Sequence, residues 1–137
     1  MRGGWAVDVD ELYGMAQADP TDVDLVQTYD DYPVITMMQI EDLGFCKKGE
    51  APAFVRQRNL TIDGDFPHNT SGGQLSAGQA GAAGGYLGLV EAIRQVTGMA
   101  GPTQVAAARL ALVSGFGMIN YDRGVCSGAV IISGGSS

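Results

Sequence analysis

Residues 69–85 read NTSGGQLSAGQAGAAGG, and this glycine-rich stretch is the most informative part of the chain. So many small residues allow a backbone or a ligand to approach closely. The stretch runs into a series of apolar residues that predicts an amphipathic helix ended by Gly98. The apolar residues of that helix recur at helical spacing: Tyr86, Leu89, Val90, Ile93 and Val96.

The stretch lacks the signatures of the common nucleotide-binding loops. No Gly-Lys-Ser or Gly-Lys-Thr follows at the spacing of a P-loop. The segment before it is polar and no strand feeds it directly, which is unlike a dinucleotide-binding fingerprint. Close helix packing and a ligand site both explain such a run of glycines. The polar residues Asn69, Ser71 and Gln79 keep the ligand-site interpretation open.

The residues before this stretch predict a helix, a strand, a second helix and a long loop. The first helix begins at Asp8 and stops at residues 19 and 20, and residues 22–29 predict a buried strand. Pro33 opens the second helix, Gly44 ends it, and residues 45–68 are loop-like apart from a candidate short strand at 60–62. The predicted apolar face of the second helix carries Val34, Met37, Met38 and Leu43.

The residues after it predict two strands joined by a glycine-punctuated turn. Residues 105–114 predict a strand buried on both faces, 115–124 the turn, and 129–133 the last strand. This order is typical of a single α/β domain over residues 1–137, with a mixed sheet covered by helices. Three strands make a thin sheet with an open edge, so we expect a partner chain to complete it.

Charge and composition exclude several classes of function. The 137 residues carry a formal net charge of −7, and 13 of the 15 acidic residues lie in residues 1–65. Such a chain lacks the basic footprint that nucleic acid requires. No apolar run reaches the roughly 18–20 residues of a membrane span, and no basic-then-apolar leader opens the chain, so we expect a cytoplasmic protein.

The cysteines and the histidine do not have the spacing of metal ligands. Cys46 and Cys126 lie 80 residues apart, no CxxC occurs, and His68 is the only histidine. We therefore expect two free thiols and no structural metal. His68 is a candidate general base, although a histidine that follows a loop proline more often ties down the backbone.

Two polar segments lie at strand ends, where α/β proteins place their chemistry. Residues 29–32, YDDY, follow the first predicted strand, and residues 120–124, NYDRG, lie between the last two. A turn and a polar hairpin loop explain them equally simply.

Four blocks in this order resemble the C-terminal half of a thiolase, closest to the lipid-transfer-protein branch of that superfamily. Residues 24–32, DLVQTYDDY, are similar to the strand that ends in an Asn-Glu-Ala-Phe or His-Asp-Cys-Phe motif. Residues 41–50, EDLGFCKKGE, match E-x-L-G-x-C-x-x-G-E. Residues 69–85 are similar to N-x-x-G-G-x-x-x-x-G-H-P-x-G-x-x-G, and the strands at 108–114 and 129–133 to the closing hairpin. The resemblance covers nearly the whole chain and implies a thiolase-like C-terminal fold.

The resemblance implies site residues and also reveals replacements. The family's catalytic histidine falls at Gln79 and its oxyanion-binding Asn or His at Tyr29, while its second cysteine falls near Tyr121 or Asp122 rather than at Cys126. A glutamine can donate a hydrogen bond to a thioester oxygen but cannot move a proton at neutral pH. The catalytic candidates are thus Tyr29, Gln79 and Tyr121, and the candidates for substrate binding are Asn69, Gly72, Gly73, Gly78 and Asp122.

The resemblance also implies partners. Thiolases carry their nucleophilic cysteine in the N-terminal half, so we expect a hetero-oligomer with an N-terminal thiolase-like subunit that covers the apolar face of this chain. A small zinc-ribbon/OB-fold protein, which often accompanies similar thiolases, is a second expected partner. Coenzyme A enters as the thioester substrate, and no metal is implied.

Three functions follow from these features. The first is a subunit of a thiolase-type acyltransferase that makes or breaks a C–C bond on an acyl-CoA. The second is a thiolase-like retro-aldolase acting on a 3-hydroxyacyl-CoA, with a tyrosine of lowered pKa as the base. The third is a non-catalytic structural or lipid-carrying subunit, which the loss of the family's histidine and cysteine supports.

Overall fold

The computed structural model describes residues 2–79, 81–120 and 123–135, without the side chains of 81–83, 118–120 and 123–125. Within these residues a mixed sheet contains three strands in the order β1 (Leu25–Gln27), β2 (Leu110–Asn120) and β3 (Arg123–Ser133). β1 runs parallel to β2, and β2 pairs with β3 antiparallel. The expected α/β class with a mixed sheet is confirmed.

Helices lie between and around these strands. The α-helices of the described residues are α1 (Trp5–Ala16), α2 (Pro33–Asp42), α3 (Ala51–Gln57), α4 (Gly73–Ala77) and α5 (Leu87–Val96), with 3-10 turns at Pro20–Asp22, Gly81–Tyr86 and Gly101–Thr103. Their ends follow local signals: Pro33 lies in the first turn of α2, and Gly44 and Gly98 adopt positive φ after α2 and α5. In the described part of the chain, no helix combines the length and the apolar character needed to cross a bilayer.

Each face of the sheet has its own core. On one face Val26 and Leu112 pack with Trp5, Tyr13 and Ile40 of α1 and α2. On the other face the sheet packs against α5, and the buried residues of that cluster are Leu25, Ala92, Ala111 and Val113. Leu25 and Val26 point to opposite faces of the sheet, as successive residues of a strand do, and both are buried. Helices therefore cover both faces of the sheet.

Helix α5 turns only part of its expected apolar face toward the sheet, where Leu89 and Val96 pack against the core. The residues buried against the sheet are Glu91, Ala92 and Gln95. The apolar residues Tyr86, Val90 and Ile93 are 64%, 54% and 45% exposed. Gly88 lets the helix approach the sheet, since a Cβ there would lie 3.1 Å from the Cβ of Gln27. Tyr86, Val90 and Ile93 therefore form an outer apolar surface of the described chain.

The loop expected over 45–68 contains helix α3, which is a correction to the sequence analysis. The Glu41 carboxylate accepts a hydrogen bond from the backbone N–H of Ala51 at 3.1 Å, and Pro52 sits in the first turn. Phe54 then packs edge-on against Phe66, with ring centroids 4.9 Å apart. Residues 60–62 do not form the candidate strand.

The strands also differ from their predicted bounds. β1 is shorter than 22–29 because Pro20–Asp22 forms a 3-10 turn with a capping box on Asp19. β2 begins at Leu110 rather than at 105, where the Asp24 carboxylate accepts the backbone N–H groups of Arg109 and Leu110. The expected turn over 115–124 is mostly strand, because β2 continues to Asn120 and β3 starts at Arg123.

The buried face of α2 is more polar than expected. Gln39, Ile40 and Asp42 are its buried residues, and Val34 is 58% exposed. Gln39 donates to the carbonyl of Tyr29 beyond β1, and the Asp42 carboxylate pairs with Lys48.

Candidate active site

The backbone that follows β1 is held by side-chain amides. Gln39, which is fully buried, accepts the backbone N–H of Tyr29 at 3.1 Å and donates to the carbonyl of the same residue at 2.7 Å. Its Oε1 also accepts the Ser114 hydroxyl at 2.7 Å. Gln39 was not among the predicted site residues. The only signal for it is a lone glutamine within an apolar helical stretch.

Tyr29 and Gln79 are brought together although 50 residues separate them in the sequence. Gln79 Nε2 donates a hydrogen bond to the Tyr29 hydroxyl at 3.1 Å. Tyr29 follows β1 and Gln79 follows the glycine-rich loop, so the contact joins the two segments on which the candidate site depends. The Tyr29 ring also packs near Phe116 of β2, at a centroid distance of 6.1 Å.

The protonation of Tyr29 differs from what the retro-aldolase interpretation assumed. Partial burial and then the Asp31 carboxylate raise the pKa of Tyr29 above its usual value, and the hydrogen bond from Gln79 only partly offsets this. Tyr29 is therefore a neutral phenol at pH 7. It can donate a hydrogen bond there, and it does not have the lowered pKa of a general base.

Asn69 ties the glycine-rich loop to β1. Its backbone adopts a left-handed conformation, with φ at 47°. Its side-chain Oδ1 accepts the backbone N–H of Thr28 at 2.8 Å, and its own N–H donates to the carbonyl of Val26 at 3.0 Å. Asparagine tolerates this conformation better than most residues. The Oδ1 of Asn69 is thus engaged in holding the loop.

Gly72 and Gly73 let the loop turn closely around Asp30. Both have positive φ, at 96° and 65°. A Cβ on Gly73 would collide with the Asp30 carboxylate. That carboxylate, which is buried, accepts the backbone N–H of Gln74 at 2.7 Å. Gly73 is therefore required by the close approach as well as by its backbone conformation.

A narrow cleft of about 40 Å3 lies between the end of β1, β2 and the loop. Three predicted site residues, Tyr29, Asn69 and Gly73, line it. Gly72, Gly78 and Gln79 are exposed around the loop and do not line the cleft. Tyr121 and Asp122 lie outside the described residues.

A family model for thiolase C-terminal domain-like proteins matches residues 4–126. The chain belongs to this family. The resemblance inferred from the four sequence blocks is confirmed, and with it the thiolase-like fold.

Individual thiolase-like relatives have different activities. An acetyl-CoA acetyltransferase of Methanothermobacter thermautotrophicus is 35% identical over 105 residues, covering 77% of this chain and 27% of the relative. A steroid side-chain-cleaving aldolase of Thermomonospora curvata is 41% identical over 88 residues, covering 64% of this chain and 22% of the relative. A solved Ltp2-ChsH2(DUF35) aldolase superimposes with a TM-score of 0.76 at 30% identity, over 95% of this chain and 31% of its own. This chain spans less than a third of the length of each.

In this thiolase-like chain His68 is half-buried and its side chain and backbone contact neighbouring segments, so it is not an exposed base. Its Nε2 lies 2.8 Å from the Thr28 hydroxyl, and its backbone N–H donates to Leu60 at 3.1 Å. Burial lowers the pKa of His68 to about 4, and the Asp30 carboxylate opposes this only partly. His68 is therefore neutral at pH 7, and it does not line the cleft.

The two thiols of the thiolase-like chain are free, and Cys46 does not have the properties of a nucleophile. Cys46 packs against the core, and burial together with Glu41 and Glu50 raises its pKa to about 11. A thiol with so high a pKa is a poor nucleophile. Cys126 is exposed on β3. Among the described residues, no three His, Cys, Asp or Glu side chains are grouped as metal ligands.

We expect Gly73→Ala to destabilise the protein more than Gly78→Ala. Gly78 has a φ of 109°, and no atom lies within 4 Å of the position that a Cβ would take, so alanine there adds only backbone strain of about 1–3 kcal/mol. At Gly73 an alanine would add backbone strain and would also collide with the Asp30 carboxylate. Displacing that carboxylate would break its hydrogen bond with the Gln74 N–H, which is worth about 1 kcal/mol more. Urea unfolding of both variants measures the difference. Equal losses would contradict the close-approach argument.

We expect stability to fall as the pH drops from about 6.5 to about 4, because His68 is neutral when folded and is protonated more readily when unfolded. The unfolded state binds more protons in that window, so the free energy of unfolding decreases by roughly 2–3 kcal/mol toward the acid side. His68→Gln keeps a polar partner for Thr28 and removes the titration. Urea unfolding across this range should give a flatter profile for the variant than for the wild type. Parallel profiles would show that other groups cause the change.

Proposed function

We propose that this chain is a subunit of a thiolase-like enzyme acting on an acyl-CoA thioester, and that it helps to cleave a C–C bond of a 3-hydroxyacyl-CoA by a retro-aldol reaction. The observation that carries the proposal is the hydrogen bond of 3.1 Å between Gln79 and the Tyr29 hydroxyl. It gathers two uncharged donors at the positions that correspond to the family's oxyanion-binding and catalytic residues.

The proposed reaction needs no oxidant. A base removes the proton of the 3-hydroxyl, the bond between C2 and C3 breaks, and a carbonyl compound leaves. The electron pair of that bond becomes the enolate of the shorter acyl-CoA, and a proton delivered to C2 completes the reaction. A neutral Tyr29 and Gln79 are suited to donating hydrogen bonds to the enolate oxygen as its charge develops. Tyr121 is the proposed proton carrier.

Thiolysis is the second candidate, supported by the likeness to an acetyl-CoA acetyltransferase. That reaction needs a nucleophilic cysteine and a group that moves protons. Gln79 cannot move protons at neutral pH, and the raised pKa of Cys46 does not suit a nucleophile. Thiolysis would therefore require both groups from the partner subunit. The likeness to two aldolases favours the retro-aldol reaction.

The exposed face of α5 is the proposed contact with an N-terminal thiolase-like subunit. Tyr86, just before α5, and Val90 and Ile93 on it are each about half exposed or more. Removing such a face from water is favourable at about 25 cal/mol per Å2 of apolar surface. The much greater length of the relatives is consistent with further thiolase-like structure beside this chain.

Coenzyme A is proposed as part of the substrate and not as a resident cofactor. The cleft of about 40 Å3 is too small for a pantetheine arm, so the thioester would lie between this chain and the proposed partner. A small zinc-ribbon/OB-fold protein remains a proposed second partner, because the solved relative bears a name that joins two components, Ltp2 and ChsH2(DUF35).

We expect Tyr29→Phe and Gln79→Ala to lower kcat/KM for retro-aldol cleavage by about 10²-fold or more, since each removes a donor from the charge-developing oxygen. The complex purified from its own host would be assayed with a panel of 3-hydroxyacyl-CoA thioesters, following the released carbonyl compound. Tyr32→Phe is the matched control, because Tyr32 lies in the same YDDY segment but is 59% exposed. Unchanged turnover in both site variants, with assembly intact, would favour the non-catalytic function.

We expect Val90→Asp and Ile93→Glu to abolish assembly with the N-terminal thiolase-like subunit while leaving this chain folded, since both side chains are exposed. Val7→Asp on α1 is the control, because Val7 is 79% exposed but lies on a different helix. Native mass spectrometry after co-purification measures the assembly. A complex that survives the α5 variants, or a wild-type protein that is a stable monomer in its host, would refute this interface.

A further inference from the structure

Three residues that line the cleft between β1, β2 and the glycine-rich loop each carry a buried polar atom with no hydrogen-bond partner in the described part of the chain. The atoms concerned are Gln27 Oε1, Gln74 Oε1 and the Ser71 hydroxyl oxygen, and all three residues line the cleft. Gln27 is 1% and Gln74 is 9% exposed. Each buried polar atom without a hydrogen bond lowers the stability of the fold by about 1–3 kcal/mol, so three such atoms around one cleft require an explanation.

The orientation of the Gln27 amide is determined by a buried carboxylate. Glu91, which is 2% exposed, accepts hydrogen bonds from Arg94 at 2.8 Å and from the Thr70 hydroxyl at 2.7 Å. Because the Thr70 hydroxyl uses its proton for Glu91, its oxygen can only accept from Gln27. Gln27 therefore presents Nε2 to Thr70 at 3.0 Å, and its Oε1 is left without a donor.

The Gln74 amide is oriented by a backbone carbonyl. Its Nε2 donates to the carbonyl oxygen of Gly84 at 3.0 Å, and a carbonyl oxygen can only accept. Turning the amide over would place two oxygens against each other. The Oε1 of Gln74 is thus left as a second acceptor without a donor, for a reason independent of the first.

Size and charge limit what can satisfy these acceptors. A volume of about 40 Å3 has room for about one to three water molecules and for nothing as large as an acyl chain. Among the described residues no charged side chain lines the cleft, which disfavours an ammonium group or a metal ion. A neutral O–H donor satisfies both amide oxygens without an uncompensated charge.

We propose that this cleft is an internal water site, in which ordered water donates to Gln27 Oε1 and Gln74 Oε1 and exchanges hydrogen bonds with Ser71. Such water joins β1 to the glycine-rich loop from the inside, beside Tyr29. It is part of the structure that holds the loop, and it does not depend on the proposed function.

The test counts long-lived water molecules in the full-length protein by 2H and 17O magnetic relaxation dispersion, with a high-resolution crystal structure to place them. Gln27→Met and Gln74→Met keep the length of each side chain and remove its acceptor. Gln57→Met, at the exposed end of α3, is the matched control. We expect the wild type and the control to hold about one to three waters in the cleft, and each cleft variant to lose at least one.

Two results would overturn the proposal. A dry cleft in the wild-type crystal structure, with the two amide oxygens bonded to protein donors, would remove its basis. Water that persists in both cleft variants would show that other groups hold it. If a methionine variant fails to fold, the wild-type crystal structure decides the matter by itself, since it shows whether water lies within hydrogen-bond distance of both oxygens.

Discussion

The backbone just beyond β1 has hydrogen-bond partners that are mainly side-chain amides, and the candidate site depends on them. β1 pairs with β2 over only three residues, and beyond it the Tyr29 N–H still donates to the Ser114 carbonyl of β2 at 3.1 Å. The N–H of Thr28 and the carbonyl of Tyr29 have partners outside the sheet. Asn69 supplies one, and Gln39 supplies two while also accepting the Ser114 hydroxyl. The direction in which Tyr29 leaves the sheet is therefore set jointly by α2, β2 and the glycine-rich loop.

The need for hydrogen-bond partners also explains why α5 buries the polar residues Glu91 and Gln95. The loop passes over this helix, and Thr70 needs a partner for its hydroxyl. Glu91 accepts the hydrogen bond of the Thr70 hydroxyl at 2.7 Å, and Gln95 Nε2 donates to the same hydroxyl at 3.3 Å. Gln95 also donates to the Thr103 carbonyl and accepts the Val105 N–H. Leu89 and Val96 of α5 still pack against the core beside this network, whereas Tyr86, Val90 and Ile93 lie on the outer side. These three residues form the surface that the proposed partner subunit would cover.

The sequence predicted where helices begin and end better than it predicted which side of a helix is buried. Pro33 and Gly98 act through their own backbone conformations, so the start of α2 and the end of α5 could be read directly. Helix α3 was missed because its first turn is held by Glu41, ten residues earlier. The stripe on α5 has the same spacing whether it faces a core or a partner. Periodicity therefore identified the helix without showing which way it faces.

The pairing of Tyr29 with Gln79 was predictable only from the family resemblance, since no local pattern links residues 50 apart. The protonation state of the two side chains depends on their surroundings in the fold. Burial and Asp31 keep Tyr29 protonated, and Gln79 does not titrate, so the pair is neutral across the physiological range. Neutral hydrogen-bond donors stabilise an uncharged ground state only weakly. They stabilise an oxygen that becomes negative during the reaction much more strongly. Because neither residue can remove a proton, the base of the proposed retro-aldol reaction would come from another part of the site. In the proposed reaction the catalytic work is therefore divided between this pair, which would stabilise charge, and residues beyond it, which would move the proton.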